Sequence, residues 1–117
     1  MKDEDVTTLS TRPKLRRLFH EIHPELCFAC WNSGLDLRHS KKKCDGRSER
    51  EGLIEIKWQG LRANLERERR VFRYEPDDLN DALAALWTAE RIFAGTATLV
   101  PPNPTFDHLG IKMQMSA

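Results

Sequence analysis

The pattern of hydrophobic and polar positions along the 117 residues predicts a mixed α/β chain. We expect three or four helices, one or two short strands near residues 15–22 and 97–100, and a terminal strand over residues 110–116. Residues 1–14 are polar and show no periodicity, so they are predicted to form a flexible lead-in to one domain over residues 15–117.

The first hydrophobic run, residues 15–22, is short and predicts a buried strand that ends before Pro24, because the residue before a proline avoids helical backbone angles. Pro24 suits the first turn of a short helix that ends near Gly34. A further helix is predicted to begin with Asp45 as its N-cap and to be interrupted at Gly60.

The strongest predicted element is a long helix that begins at Asp77, its expected N-cap, and is closed by Gly95. At about 100° per residue, its apolar residues fall in two adjacent stripes. The small-residue stripe contains Ala82, Ala85, Ala89 and Ile92, and the bulkier one contains Leu79, Leu83, Leu86 and Phe93. We therefore expect the helix to be packed on two sides, with its small-residue stripe against a sheet.

Prolines at positions 101, 102 and 104 limit the strand that is predicted near residues 97–100. Because proline has no backbone N–H, we expect this strand to stop before them. The terminal strand is predicted to be half-buried, since apolar and polar residues alternate along it. Its apolar positions are Ile111, Met113 and Met115.

The amino-acid composition excludes several classes of protein. Hydrophobic residues make up 39% and charged residues 32% of the chain, which excludes collagen-like and strongly disordered classes. The 19 Lys and Arg residues nearly balance the 18 Asp and Glu residues, so binding of nucleic acid must come from local basic patches. The N-terminus is acidic, and no apolar run approaches the roughly 20 residues that a membrane span requires. These features predict a cytoplasmic protein without membrane contact.

Two acids at the head of the long helix are the first candidates for chemistry. Asp78 and Asp81 stand three residues apart, so their carboxylates are neighbours on the helix surface. A bound cation such as Mg²⁺, which takes one or two carboxylates together with water and phosphate oxygens, would relieve the repulsion between them. The alternative is that both acids complement the helix dipole as first-turn residues.

The same acids lie in a run that resembles a known motif. Residues 78–84, D-L-N-D-A-L-A, are similar to the D-x-x-D-A-L-A run that opens the last helix of RuvC-type resolvases, which have an RNase H-like fold. Three further segments resemble the family called domain of unknown function 429, whose members are predicted RNase H-like nucleases. They are H-E-I-H-P-E at residues 20–25 with Phe28, S-K-K at residues 40–42 with Gly46, Arg47 and Arg50, and residues 107–110.

This resemblance implies a partial RNase H-like fold and hydrolysis of phosphodiester bonds in nucleic acid with Mg²⁺ or Mn²⁺. The residues that match the family's acids, and so the implied catalytic and metal-binding residues, are Glu21, Asp78 and Asp81. The residues that match its lysine pair and arginines, and are expected to contact phosphate, are Lys41, Lys42, Arg47 and Arg50.

The segment before Glu21 does not resemble the two acid-bearing strands with which such proteins begin. The chain therefore looks like the C-terminal part of an RNase H-like domain, and its activity as an enzyme by itself is left open. An apolar helix face without its sheet predicts a homodimer, or a missing N-terminal half, as the partner. The alternative function is a non-catalytic module for interaction or dimerisation.

A rival set of residues has spacing that could suit a zinc site. Two cysteines at x₂ spacing, a histidine and a third cysteine could close a tetrahedral Zn²⁺ site in a small nucleic-acid-binding module. These residues are Cys27, Cys30, His39 and Cys44. We favour the alternative that Cys27 and Cys30 are buried thiols in an apolar helix, since free cysteine behaves as a small hydrophobic residue.

Overall fold

The computed structural model describes residues 20–35, 37–68 and 73–117, which form four helices and a two-stranded antiparallel sheet. The helices are α1 (Pro24–Trp31), α2 (Cys44–Lys57), α3 (Leu61–Arg67) and α4 (Pro76–Ala94), and the strands are β1 (Leu99–Phe106) and β2 (Lys112–Ser116). The prediction of a mixed α/β chain is therefore confirmed. Within these residues, no helix has the length and hydropathy that crossing a membrane requires.

Helix α1 begins and ends where the sequence predicts. Pro24 lies in its first turn, where the missing N–H costs no helical hydrogen bond. After the helix, Ser33 and Gly34 adopt left-handed backbone angles, with φ of 61° and 78°. The N–H of Gly34 donates to the carbonyl of Ala29 at 2.9 Å, which satisfies one of the open carbonyl groups at the helix end.

The two predicted N-caps each lie two residues too far along the chain. Helix α2 has Lys43 as its N-cap and Asp45 in its first turn, while α4 has Glu75 as its N-cap and Asp77 in its first turn. The carboxylate of Asp78 accepts a hydrogen bond from the backbone N–H of Glu75 at 3.1 Å, as in a capping box. The acids still lie at the positive end of the helix dipole, which explains why they indicate the helix start so closely.

A small core lies between α1, α2 and α4. Its buried apolar residues are Cys27, Phe28, Ile54, Leu83, Ala84 and Ala117. Beside it, Trp31 of α1 stacks on Trp87 of α4 with ring centroids 4.9 Å apart and ring planes 2° apart. Trp31 also meets Trp58, at the end of α2, edge-on at 5.7 Å. These aromatic contacts fix α4 against the other helices.

Helix α4 is packed on one side among the described residues, not on two as expected. The buried side contains Asn80, Leu83, Ala84 and Thr88. The opposite side contains Ala82, Leu86, Ala89 and Phe93, all of which are exposed. Helical periodicity shows which residues share a face but not whether a neighbour covers that face. Among the described residues, no strand covers this one.

Strand β1 runs through all three prolines, so the expectation that it stops before them is wrong. The register with β2 pairs Leu99 with Ser116, Val100 with Met115, Thr105 with Met113 and Phe106 with Lys112. The prolines lie in the irregular stretch between Val100 and Thr105, where they interrupt no regular pair. There, the Gln114 side-chain amide donates to the carbonyls of Pro101 and Pro102 at 2.8 and 3.3 Å. Strand β2 confirms the predicted terminal strand but not its predicted alternation of burial, since Met113 is exposed and the polar Ser116 is buried.

The predicted lead-in, residues 1–14, and most of the strand predicted over residues 15–22 lie outside the described residues. Residues 20–22 are not a strand. The carbonyl of Glu21 nevertheless accepts a hydrogen bond from the N–H of Ser116 at 2.8 Å. His20 Nδ1 also lies 3.1 Å from Ser116 Oγ, so the chain before α1 lies against the end of β2.

Candidate functional site

Gly46 and Arg50 of α2 contact the basic loop, residues 38–43, which precedes this helix. The Ser40 carbonyl lies so close to Gly46 that a Cβ atom there would be 1.8 Å from its oxygen. Arg50 is 3% exposed and donates from Nη1 to the carbonyls of His39 and Gly46 at 3.1 and 2.7 Å. Its Nε and Nη2 donate to the two carboxylate oxygens of Glu25 in α1. The loop is therefore fixed between α1 and α2.

Two ion pairs join this loop and α2 to the head of α4. Lys41 Nζ lies 3.3 Å from Asp81 Oδ2, and Arg47 Nε lies 3.7 Å from Asp77 Oδ1. All four side chains remain partly exposed, between 26% and 42%. A ligand in solution can therefore reach them. We call these four residues, together with Asp78, the α4-head site.

An open cleft of about 430 Å³ adjoins the α4-head site and is lined by Arg73, Tyr74, Glu75 and Asp78. The Tyr74 hydroxyl donates to the Leu65 carbonyl at 2.9 Å, which ties this side of the cleft to α3. Arg73 places a further positive charge in the wall of this cleft, which Asp78 also lines. Arg73 is not among the site residues predicted from the sequence, although its position just before the start of α4 was a signal for it.

The other residues that the resemblance implies are placed differently. Glu21 is exposed before α1, and its described backbone contact is with β2. Lys42 is exposed in the basic loop, where its backbone N–H donates to Ser40 Oγ at 3.3 Å. Arg50 is buried in its ion pair with Glu25, which gives it a structural part in holding the loop.

Asp78 and Asp81 supply two carboxylates, which is the number that Mg²⁺ takes from a protein when water and phosphate oxygens complete its coordination. Over residues 20–35, 37–68 and 73–117, there is no group of three His, Cys, Asp or Glu side chains that could hold a metal ion. A divalent ion at these two carboxylates would need water and phosphate oxygens for its remaining ligands. In the chain without a ligand, Lys41 Nζ is paired with one carboxylate oxygen of Asp81.

The cysteines of the zinc alternative differ strongly in burial. Cys27 is buried in α1, Cys30 is half-buried on the same helix, and Cys44 is exposed at the start of α2. Burial raises the pKa of the Cys27 thiol above its ordinary value. Cys27 is thus a core residue in contact with α4.

Comparison with known protein families places this site in context. A family model described as "Protein of unknown function (DUF429)" matches residues 1–105, which include the basic loop, α2 and the acids of α4. No curated protein and no solved structure matches the chain. Because the family model covers most of the sequence, the chain belongs to the DUF429 family.

Proposed function

We propose that the α4-head site binds nucleic-acid phosphate together with Mg²⁺ or Mn²⁺, and that the chain takes part in phosphodiester hydrolysis as part of an RNase H-like nuclease. The observation that carries this proposal is the contact of 3.3 Å between Lys41 and Asp81, which stand 40 positions apart in the sequence. Folding thereby brings the lysine segment and the acidic segment of the family resemblance to one place. Acids that attract a divalent ion lie beside cations that attract phosphate.

The two kinds of side chain have different tasks in this proposal. Asp78 and Asp81 hold the metal ion, which when bound supplies charge stabilisation to the phosphodiester that is cleaved. Lys41 offers a point charge to phosphate oxygens, and Arg47 offers a planar fork of N–H donors. In the free chain, Asp81 and Asp77 neutralise these two cations. When metal and phosphate bind, Asp81 thus exchanges Lys41 for the metal ion, and Lys41 and Arg47 exchange their carboxylate partners for phosphate.

Hydrolysis needs more ligands than this site contains. Two metal ions about 4 Å apart usually share several carboxylates in such nucleases, and the α4 head offers Asp78 and Asp81. We expect the further acids to come from outside the described residues or from another polypeptide. The chain by itself is therefore expected to bind nucleic acid in a metal-dependent manner and to cleave it slowly or not at all.

Fluorescence anisotropy tests this proposal with labelled single strands, RNA–DNA hybrids and four-way junctions, each measured with and without Mn²⁺. We expect Mn²⁺ to strengthen binding severalfold for the native chain but not for the Asp78→Asn, Asp81→Asn double variant. Glu90→Gln removes an acid from the same helix about three turns away, and this matched control should behave as the native chain does. Gel electrophoresis of the same samples follows cleavage.

The cations are tested in parallel with the Lys41→Gln, Arg47→Gln double variant. It should weaken binding without metal and reduce the slope of log affinity against log salt by about one for each lost phosphate contact. Two results would contradict the proposal: no binding by a chain with native circular dichroism, or Mn²⁺-strengthened binding that persists without the Asp78 and Asp81 carboxylates.

A further inference from the structure

One side of α4 presents a continuous apolar stripe to solvent. Ala82, Leu86, Ala89 and Phe93 follow one another at i, i+4, i+7 and i+11, so they share one helical face. Phe93 is 96% exposed and Leu86 is 44% exposed, and both alanines are also exposed. Large apolar side chains exposed on successive helical turns are typical of an interaction surface. We call these four residues the α4 stripe.

The sizes of the side chains along the α4 stripe suit packing against a second copy of the same helix. Small and large residues alternate, and an antiparallel copy of the helix reverses that order. A two-fold axis level with the midpoint between Trp87 and Thr88 sets Phe93 against the partner's Ala82, and Leu86 against the partner's Ala89. Each large side chain then meets a small one, which is the self-complementarity that a two-fold interface requires. We propose that the chain forms a homodimer through antiparallel packing of the α4 stripe.

The exposed area of the stripe sets the expected strength of this dimer. One fully exposed phenylalanine offers about 200 Å². With half of a leucine and two alanines, the stripe offers roughly 400 Å² per copy, about half of the ~800 Å² per partner in a standard stable interface. A weak and reversible dimer is therefore expected, with a dissociation constant of about 10 μM to 1 mM.

Charge does not oppose the pairing. Glu90 flanks the stripe between the levels of Leu86 and Phe93, and Lys57 of α2 lies 3.5 Å from its carboxylate. Each copy therefore brings a neutral pair to the two-fold axis rather than an unpaired acid. In this arrangement the partner's Phe93 lies over Ala82, one helical turn from Asp78 of the α4-head site. Phe93→Ala leaves every residue of that site in place, so dimerisation and phosphate binding are tested with different variants.

Sedimentation equilibrium between about 10 μM and 1 mM measures the dimer directly. We expect a concentration-dependent monomer–dimer equilibrium in which Phe93→Ala raises the dissociation constant at least about tenfold. Ile56→Ala is the matched control, since Ile56 is 86% exposed on α2 and is not one of the four residues of the α4 stripe. This control should leave the dissociation constant unchanged.

An exchange of sizes distinguishes the proposed geometry from a generally adhesive surface. Leu86→Ala alone opens a gap and Ala89→Leu alone sets two leucines against each other, so each should raise the dissociation constant severalfold. The double variant restores a large residue opposite a small one and should return the dissociation constant to near the native value. A folded native chain that stays monomeric at 1 mM, or a double variant no stronger than either single one, would overturn the proposal.

Discussion

Lys41 Nζ lies 3.3 Å from Asp81 Oδ2, and this contact links the basic loop to the acidic head of α4. The lysine side chain is 35% exposed and the aspartate side chain 26%. Partly exposed ion pairs of this kind contribute about 1 kcal/mol or less to stability. The importance of the pair therefore lies in the charges that it brings together rather than in the free energy of folding.

Replacing this lysine should raise the affinity of the α4-head site for metal. Lys41→Gln frees the Asp81 carboxylate from its cation, so we expect tighter binding of Mn²⁺, while Asp81→Asn should weaken it. The free energy of unfolding should change by less than about 1 kcal/mol in either variant. Isothermal titration with Mn²⁺ measures the affinity, and Lys57→Gln, which breaks a comparable pair with Glu90, is the control. Equal Mn²⁺ affinity in the native and Lys41→Gln chains would contradict the assigned place of the metal.

The ion pair between Glu25 and Arg50 should matter far more for stability. Arg50 is 3% exposed, so Glu25→Gln leaves a buried guanidinium without its negative partner. We expect a loss of about 2–4 kcal/mol in the free energy of unfolding, measured by urea denaturation. Glu90→Gln breaks an exposed pair and should cost less than about 1 kcal/mol. A similar small loss for both variants would show that the Arg50 pair does not hold α1 to α2.

Two glycines of α2 should respond in opposite directions to alanine. A Cβ atom at Gly46 would lie 1.8 Å from the Ser40 carbonyl oxygen, whereas nothing lies within 4 Å of one at Gly52. Gly46→Ala must displace the basic loop and should destabilise the chain by about 2 kcal/mol or more. Gly52→Ala should stabilise it by about 0.5–1 kcal/mol, because alanine favours the helix.

Thermal unfolding followed by circular dichroism compares the two glycine variants. Gly46→Ala should also weaken binding of nucleic acid, since the same displacement moves Lys41 away from the α4 head. Equal melting temperatures for the two variants would show that the loop does not rest on Gly46.

The buried thiol of Cys27 should make stability depend on pH in the alkaline range. Its pKa is raised by burial, so the thiol stays protonated in the folded chain while the unfolded chain begins to lose the proton near the ordinary value of about 8.5. The stabilising contribution is complete below that pH and is lost as the pH rises towards the folded-state pKa. Urea denaturation between about pH 7.5 and 9.5 should show a steeper loss for the native chain than for Cys27→Ala. Parallel curves would argue against burial of the thiol.

Local features of the fold could be predicted from sequence because they depend on covalent geometry and on periodicity. Pro24 marks the first turn of α1, and Gly60 and Gly95 take the left-handed backbone angles that their positions between and after helices predict. The alternation of apolar and polar residues identifies β2. The N-caps of α2 and α4 were missed by two residues, because an acid in the first turn and an acid at the cap both complement the helix dipole.

The candidate site was predictable as a set of residue types but not as an arrangement. The sequence was sufficient to predict that Asp78 and Asp81 stand together at a helix start, since a spacing of three residues fixes this within one helix. The contact of Lys41 with Asp81 and that of Arg50 with Glu25 could not be predicted in this way, because packing sets contacts between residues 25 to 40 positions apart. Packing likewise decided which side of α4 stays open: the helical period creates two apolar stripes, and the neighbouring elements cover one side of the helix.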